Sequence, residues 1–233
     1  MRVLSLDTST PTGGIAALDE QRVLGSVFER SEENYSSRLF RYLDLLLRQT
    51  RLTVADFDVF AVTAGPGSFT GLRVGLTAAK AWSELYSKPI AAVSGLEAVA
   101  VQANLPTGLI AAATDARRGQ VFGAIYRRDQ DEPRMKLIGE EMLSNAGEFA
   151  TEVLRVAEGQ KVAFISPTTE ALLPSILSAG LYPAHVQKAS DDLAPWVGRL
   201  GLQQLKRGDV VDALSLDANY IRRSDAEVYW KQS

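Results

Sequence analysis

Residues 64–75, Ala-Gly-Pro-Gly-Ser-Phe-Thr-Gly-Leu-Arg-Val-Gly, constrain this chain more than any other stretch. The apolar run at 59–62 before them reads as a buried strand. The segment after them, through Ala78, Ala79, Ala81 and Leu85, reads as a helix. Gly65 and Gly67 accept backbone angles that other residues resist, and Pro66 fixes the turn between them. Ser68 or Thr70 is placed to cap the helix, whose first amides point into the loop. A strand, a glycine loop and a helix in that order can cradle an anion. The same string equally makes a tight turn with a well-capped helix, and local physics does not separate the two.

Three strand signals open the chain, at 3–6, 15–18 and 23–28. A turn-rich stretch joins the first pair and a short polar turn the second, so an antiparallel meander is expected. A helix over about 36–50, a strand at 59–64, a helix over about 70–86, a strand at 90–93 and a helix from Ser94 to Gln102 follow. That order, βββαβαβα, predicts a mixed sheet with helices on its faces, the ribonuclease H-like arrangement that also builds each half of actin. Asn104-Leu-Pro-Thr-Gly108 reads as a boundary. Beyond it, strands at 109–114 and 120–127 flank an Asp115 turn much as the first two flank an Asp7 turn. The parallel predicts a duplicated α/β protein: an actin-like (ASKHA) two-lobed fold of ribonuclease H-like mixed sheets. The N-terminal lobe is expected over residues 1–104. A reduced C-terminal lobe with a returning terminal segment is expected over 105–233, with helices near 146–157, 169–179 and 192–207 and a strand at 162–166.

Composition narrows the chemistry. A formal charge of −3 argues against gripping nucleic acid by bulk electrostatics. The absence of cysteine excludes disulfides, thiolate metal sites and a cysteine nucleophile, and the lone His185 excludes any site needing two histidines. The first apolar run is too short for a cleavable leader, and no run approaches the ~18 residues of a membrane helix. A cytoplasmic protein without membrane contact is expected.

Two helices carry wide apolar arcs. Leu39, Phe40, Tyr42, Leu43, Leu46 and Leu47 fill roughly 160° of the first, where a helix lying on a sheet needs about 100°; Leu45 falls outside that arc. On the second, Val74, Ala78, Ala81 and Leu85 form one face, extended by Leu72, Gly75, Leu76, Ala79 and Tyr86. Gly71, Gly75 and Ala79 would let another helix approach closely. Either both helices sit deep in one core, or together they present a subunit interface; the second reading is preferred because the wide arcs occur on neighbouring helices.

Three motifs coincide at telling spacings: Leu4-Ser-Leu-Asp-Thr-Ser-Thr10, the glycine string 64–75, and Asp115-Ala-Arg-Arg-Gly-Gln-Val121. With the tail Asp217-Ala-Asn-Tyr-Ile-Arg222 and Ala226-Glu227, they resemble the TsaB (YeaZ) family of the bacterial tRNA threonylcarbamoyladenosine system. The resemblance is strongest in residues 1–121. It implies a non-catalytic subunit that pairs with a larger TsaD-type catalytic homologue, assisted by a TsaE-type ATPase, in modifying the adenosine beside the anticodon. It also implies docking through helices 36–50 and 70–86, here assigned to Leu39, Tyr42, Leu43, Leu46, Leu72, Gly75, Leu76, Ala79 and Tyr86. Self-association through the same helices is expected in isolation; tRNA is expected as an indirect partner, with direct contact by this subunit secondary. The catalytic homologue binds its metal through two histidines four apart on a helix; Gly95 and Val99 occupy the corresponding positions, so no metal is expected.

Individual polar residues admit two readings. Asp7, Thr8, Ser9 and Asp115 could be a relic nucleotide cleft, because actin-like ATPases place a carboxylate near Asp7. Thr8-Ser9-Thr10 crowds the backbone where those proteins carry glycine, which favours turn bracing instead. No cofactor is required on this reading, and nucleotide binding is left open. An alternative function is an ATP-dependent phosphotransferase of the sugar-kinase type using the Asp7/Asp115 cleft; a structural homodimer unconnected with tRNA comes third. A two-metal nuclease would need further carboxylates beyond Asp7, Asp58 and Asp115. Arg117-Arg118, Arg127-Arg128 and Arg222-Arg223 are basic pairs that either meet phosphate or sit as solvated charge.

Overall fold

The computed structural model describes residues 1–20, 22–130, 132, 134–178 and 186–221. His185, Arg222, Arg223, Ala226 and Glu227 lie outside the described residues. The chain divides into two compact units, Met1–Gly95 with Asp191–Ser233, and Leu96–Ser190.

The first unit is built on β1 (Arg2–Asp7), β2 (Thr12–Asp19), β3 (Arg22–Arg30), β4 (Val59–Gly65) and β5 (Ile90–Ser94), ordered β3-β2-β1-β4-β5. The first three strands form the expected antiparallel meander, and β4 and β5 join in parallel. Register puts Leu4 opposite Ala17 on one side and Phe60 on the other. Strand alternation then decides the two faces. Leu4, Leu6, Phe60 and Val62 join a core with Leu39 and Leu46 of α1 (Tyr35–Thr50) and Leu72 and Ala79 of α2 (Phe69–Tyr86). Ser5 points the other way and donates its hydroxyl to the Ala194 carbonyl, 2.7 Å away.

That carbonyl belongs to α6 (Ala194–Arg207), expected in the second lobe but packed on the first sheet. The reason lies in its small residues. A Cβ added at Gly201 would come within 2.5 Å of the Ala61 side chain, so only glycine lets this helix lie so close to β4. Gln204 also donates to the Ala92 carbonyl of β5 at 3.0 Å. The partition therefore differs from 1–104 and 105–233: the division falls near residue 95, and the chain returns after residue 190. The third helix is also shorter than expected, spanning Gly95–Ala100 (α3).

The second unit repeats the sheet. Its strands are β6 (Gly108–Asp115), β7 (Gln120–Arg128), β8 (Lys136–Asn145), β9 (Val162–Ser166) and β10 (Val186–Lys188), ordered β10-β9-β6-β7-β8. Numbered from its own start, that is the order of the first unit. The expected reduction is therefore not in strand number. β8 and β10 had no expectation attached to them. α4 (Ala146–Ala157) and α5 (Thr169–Ser178) cover one face, with Phe149, Val153, Leu172 and Ile176 meeting Leu109, Ile125 and Phe164. Asn145 and Glu148 close a reciprocal capping box that fixes the start of α4.

Candidate functional site

The glycine string joins β4 to α2, and the structure shows what it holds. β4 is buried along its whole length, which brings the string up at the end of the sheet. Gly65 has φ +140°, a region closed to most side chains. The Ser68 hydroxyl caps α2 by accepting from the Gly71 amide at 3.3 Å, and the Ser68 amide donates to the Ser9 carbonyl at 2.8 Å. The Ser68 amide just ahead of the helix is thus held by the chain's own turn between β1 and β2.

That turn lies along a line of glycines spaced four apart. A Cβ at Gly67 would stand 2.6 Å from the Ser9 carbonyl oxygen; at Gly71 it would overlap the Thr8 carbonyl, and at Gly75 the Thr8 hydroxyl. The sequence suggested that Gly71 and Gly75 admit a second helix; the structure fills the space beside both with Thr8. From the other side α1 holds the same turn. Tyr35 donates its hydroxyl to the Thr10 carbonyl at 2.7 Å, and Arg38 donates to the Pro11 carbonyl at 3.0 Å. The Arg38 guanidinium is buried and stands 3.9 Å from the Tyr35 ring centroid. Sequence reading missed Tyr35 and Arg38, because a buried arginine that serves backbone carbonyls has no pattern of its own. The four-residue glycine spacing was the available signal.

The proposed nucleotide residues fall into two separate settings. Asp7 is fully buried, and its Oδ1 accepts from the Ser9 amide at 3.0 Å and the Ser9 hydroxyl at 2.6 Å. Burial pushes its carboxyl above the ordinary carboxylate value, with the bonds from Ser9 and Thr63 opposing. Its Oδ2 and the Thr8 hydroxyl are buried without hydrogen-bond partners. Asp115 is exposed in the other unit, where its Oδ1 accepts from the Arg117 amide at 2.8 Å and braces the β6–β7 turn. Arg117 and Arg118 take positive φ in that turn. Among the described residues no three His, Asp or Glu side chains group to hold a metal ion, and the helix positions of Gly95 and Val99 offer no ligand.

The residues expected at a partner interface are largely taken up by the first unit's own core. Leu39, Tyr42, Leu43, Leu46, Leu72, Gly75, Leu76 and Ala79 are all buried within the first unit, and Tyr86 is half-buried against the same core. The wide arcs arise because each helix packs on the sheet and α1 also meets α2. What the pair leaves in the open is a different set. Phe40 is 63% exposed and Leu85 72% exposed, with Ala81 exposed and Leu47 and Val74 half-buried. Val74, Ala78, Ala81 and Leu85 follow a four-three-four spacing, which lines them along one side of α2.

Other expectations resolve simply. Arg128 is not a free phosphate contact: it donates to the carbonyls of Val101, Ala103 and Leu105 and ties that loop to β7. Arg127 reaches Gln160 at 3.3 Å. The returning segment closes on α2: Val211 pairs with Ile90, and the Asn219 amide donates to the Ala64 carbonyl at 2.8 Å. The Tyr220 ring stacks 4.8 Å from Phe69, and its hydroxyl accepts from Arg73. No described helix is long and apolar enough to cross a membrane.

Comparison with known proteins matches residues 18–195 to the family model "TsaD: tRNA N6-adenosine threonylcarbamoyltransferase". The chain is 30% identical over its full length to the tRNA threonylcarbamoyladenosine biosynthesis protein TsaB of Bacillus subtilis, covering 99% of that protein. Among solved structures it resembles YeaZ from Pseudomonas aeruginosa, with a TM-score of 0.72 and 25% identity over 94% of this chain and 99% of that one. It also resembles a ROK hexokinase from Thermus thermophilus, with a TM-score of 0.54 and 11% identity over 88% of this chain and 100% of that one. That last likeness concerns fold alone: an α/β protein of two mixed sheets in the actin-like class.

Proposed function

The chain belongs to the TsaB family of tRNA threonylcarbamoyladenosine biosynthesis proteins, and from that premise we propose that it acts as the non-catalytic partner of a TsaD-type protein. The exposed apolar side chains of α1 and α2 carry this reading. Phe40 and Leu85 are large apolar side chains left largely in water, and Val74 and Ala81 share the side of α2 that ends in Leu85. Large apolar groups left in water mark an interaction site, and small residues between large ones suit a packed helix pair. A TsaD-type protein fits as occupant because this chain matches the TsaD model over most of its length. A fold-related partner carries its own equivalents of α1 and α2, so two helix pairs can meet face to face. The same geometry admits a second copy of this chain when the partner is absent. A TsaE-type ATPase would complete the assembly, with tRNA bound by the complex.

The phosphotransferase alternative draws no support from the site. Asp115 is committed to its own turn, the Ser68 amide ahead of α2 to Ser9, and the Gly71 amide to Ser68. We therefore read the protein as needing no nucleotide of its own. Binding of the purified chain to a TsaD-type protein tests the proposal, using Phe40→Glu/Leu85→Glu. Wild type should form a complex that the folded double variant does not. Equal binding by both would remove α1 and α2 from the interface.

A further inference from the structure

We propose that Gly67, Gly71 and Gly75 form a seat for the chain's own β1–β2 turn, and that this seat holds α1 and α2 in the geometry that docks the partner. The positioning half rests on the docking reading above; the seat itself does not. Glycine inside a helix weakens it relative to alanine, so two glycines one turn apart in α2 run against helix propensity. The geometry supplies the reason. Thr8 and Ser9 lie where side chains at 67, 71 and 75 would stand. Across the turn, Tyr35 and Arg38 of α1 donate to the next two carbonyls, Thr10 and Pro11. Four consecutive residues are thus wedged between the two helices, two facing each. The wedge fixes how far apart α1 and α2 stand, and Phe40 and Leu85 ride on those helices. At the start of α2 the Ser68 amide is spent on the Ser9 carbonyl and the Gly71 amide on the Ser68 hydroxyl. The glycine string is on this account an internal strut.

Gly75 gives the sharpest test, because its obstacle is a side-chain atom. An added Cβ overlaps the Thr8 hydroxyl but lies 3.5 Å from Thr8 Cβ, an ordinary contact. That hydroxyl is buried without a partner, so Thr8→Ala removes it at little polar cost. The full chain would be made as Gly75→Ala, Thr8→Ala and the double variant. Leu18→Ala serves as control, since Leu18 is buried against Gly198 of α6, on the far face of the sheet. Thermal midpoints and calorimetric affinity for a TsaD-type protein are the two readouts.

Gly75→Ala should lower the midpoint and weaken binding about tenfold or more, a loss of the size that coupled neighbours show. Leu18→Ala should lower the midpoint and leave affinity within about twofold. The double variant should recover both properties. A double variant no better than Gly75→Ala would overturn the seat. Affinity unchanged in Gly75→Ala while its midpoint falls would overturn the positioning role. A wild-type chain that binds no TsaD-type protein would sink the docking reading and the positioning with it, while the midpoint cycle still judges the seat. Should Gly75→Ala not fold, Tyr35→Phe reads the same wedge from α1 by deleting one hydroxyl. Weakened binding then supports the proposal, and unchanged binding refutes it.

Discussion

Leu72 and Leu85 sit on one helix and carry the same side chain, yet the structure assigns them opposite duties. Leu72 is fully buried against the sheet, whereas Leu85 is 72% exposed. Truncating Leu72 to alanine removes three buried carbons and leaves a cavity, which costs about 2–5 kcal/mol in a close-packed core. Against a total stability of roughly 5–15 kcal/mol, that is a large fraction. For a chain of this size each kcal/mol lowers the midpoint by about 2–4 °C, so a loss near 3 kcal/mol means roughly 6–12 °C. Leu85→Ala removes surface already in water and should stay within about 0.5 kcal/mol of wild type. Urea and thermal unfolding, followed by tryptophan fluorescence, would give both values, and affinity for the TsaD-type partner would be measured on the same samples. Leu72→Ala should lose stability and Leu85→Ala should lose affinity. Comparable destabilisation by both would refute the assignment of α2 faces. So would an affinity loss confined to Leu72→Ala.

Further expectations follow from single contacts. Ser68→Ala removes the α2 cap and should cost about 1 kcal/mol in denaturant unfolding. Arg128→Met strips three backbone carbonyls of their donor. It should destabilise the second unit by about 1–3 kcal/mol, read as faster amide exchange in the 101–105 loop. Asp7 has its carboxyl pKa raised by burial, so the protonated form is favoured by folding. The stability it contributes is fully present below the unfolded value of 3.8 and is lost as pH rises through the raised folded value. Asp7→Asn should remove that dependence, so the unfolding midpoint of the variant should gain on wild type across this window; parallel pH curves would contradict it.

Much of the fold was legible because its signals are local. The meander at β1–β3 declares itself by alternating apolar residues and turn formers, and the ends of α4 and β9 match their expected bounds. β8 was hidden because an edge strand with exposed Lys136 and Glu140 and half-buried Glu141 lacks a clean alternation, and Gly139 at positive φ interrupts it beside a register shift. α6 was legible as a helix but not as part of the first unit, since nothing in its own residues names the sheet it covers. The burial of Leu39 and Leu72, expected at a partner interface, was hidden for a related reason. A helical wheel shows that Leu39 and Leu72 are apolar, but only packing tells which apolar residues the chain consumes itself. Phe40 and Leu85 stood in the same arcs and are what remains. Asp7 braces its own turn through Ser9, a local contact, whereas the approach of Thr8 to Gly71 and Gly75 joins residues more than sixty positions apart.

The most direct measurement is a reconstitution with a TsaD-type protein, a TsaE-type ATPase, an adenylate-forming enzyme, ATP, threonine, bicarbonate and tRNA, scoring threonylcarbamoyladenosine. Modification should require this chain and should fail with folded Phe40→Glu/Leu85→Glu. Full modification without the chain, or undiminished modification with the double variant, would contradict a partner that works by docking through α1 and α2.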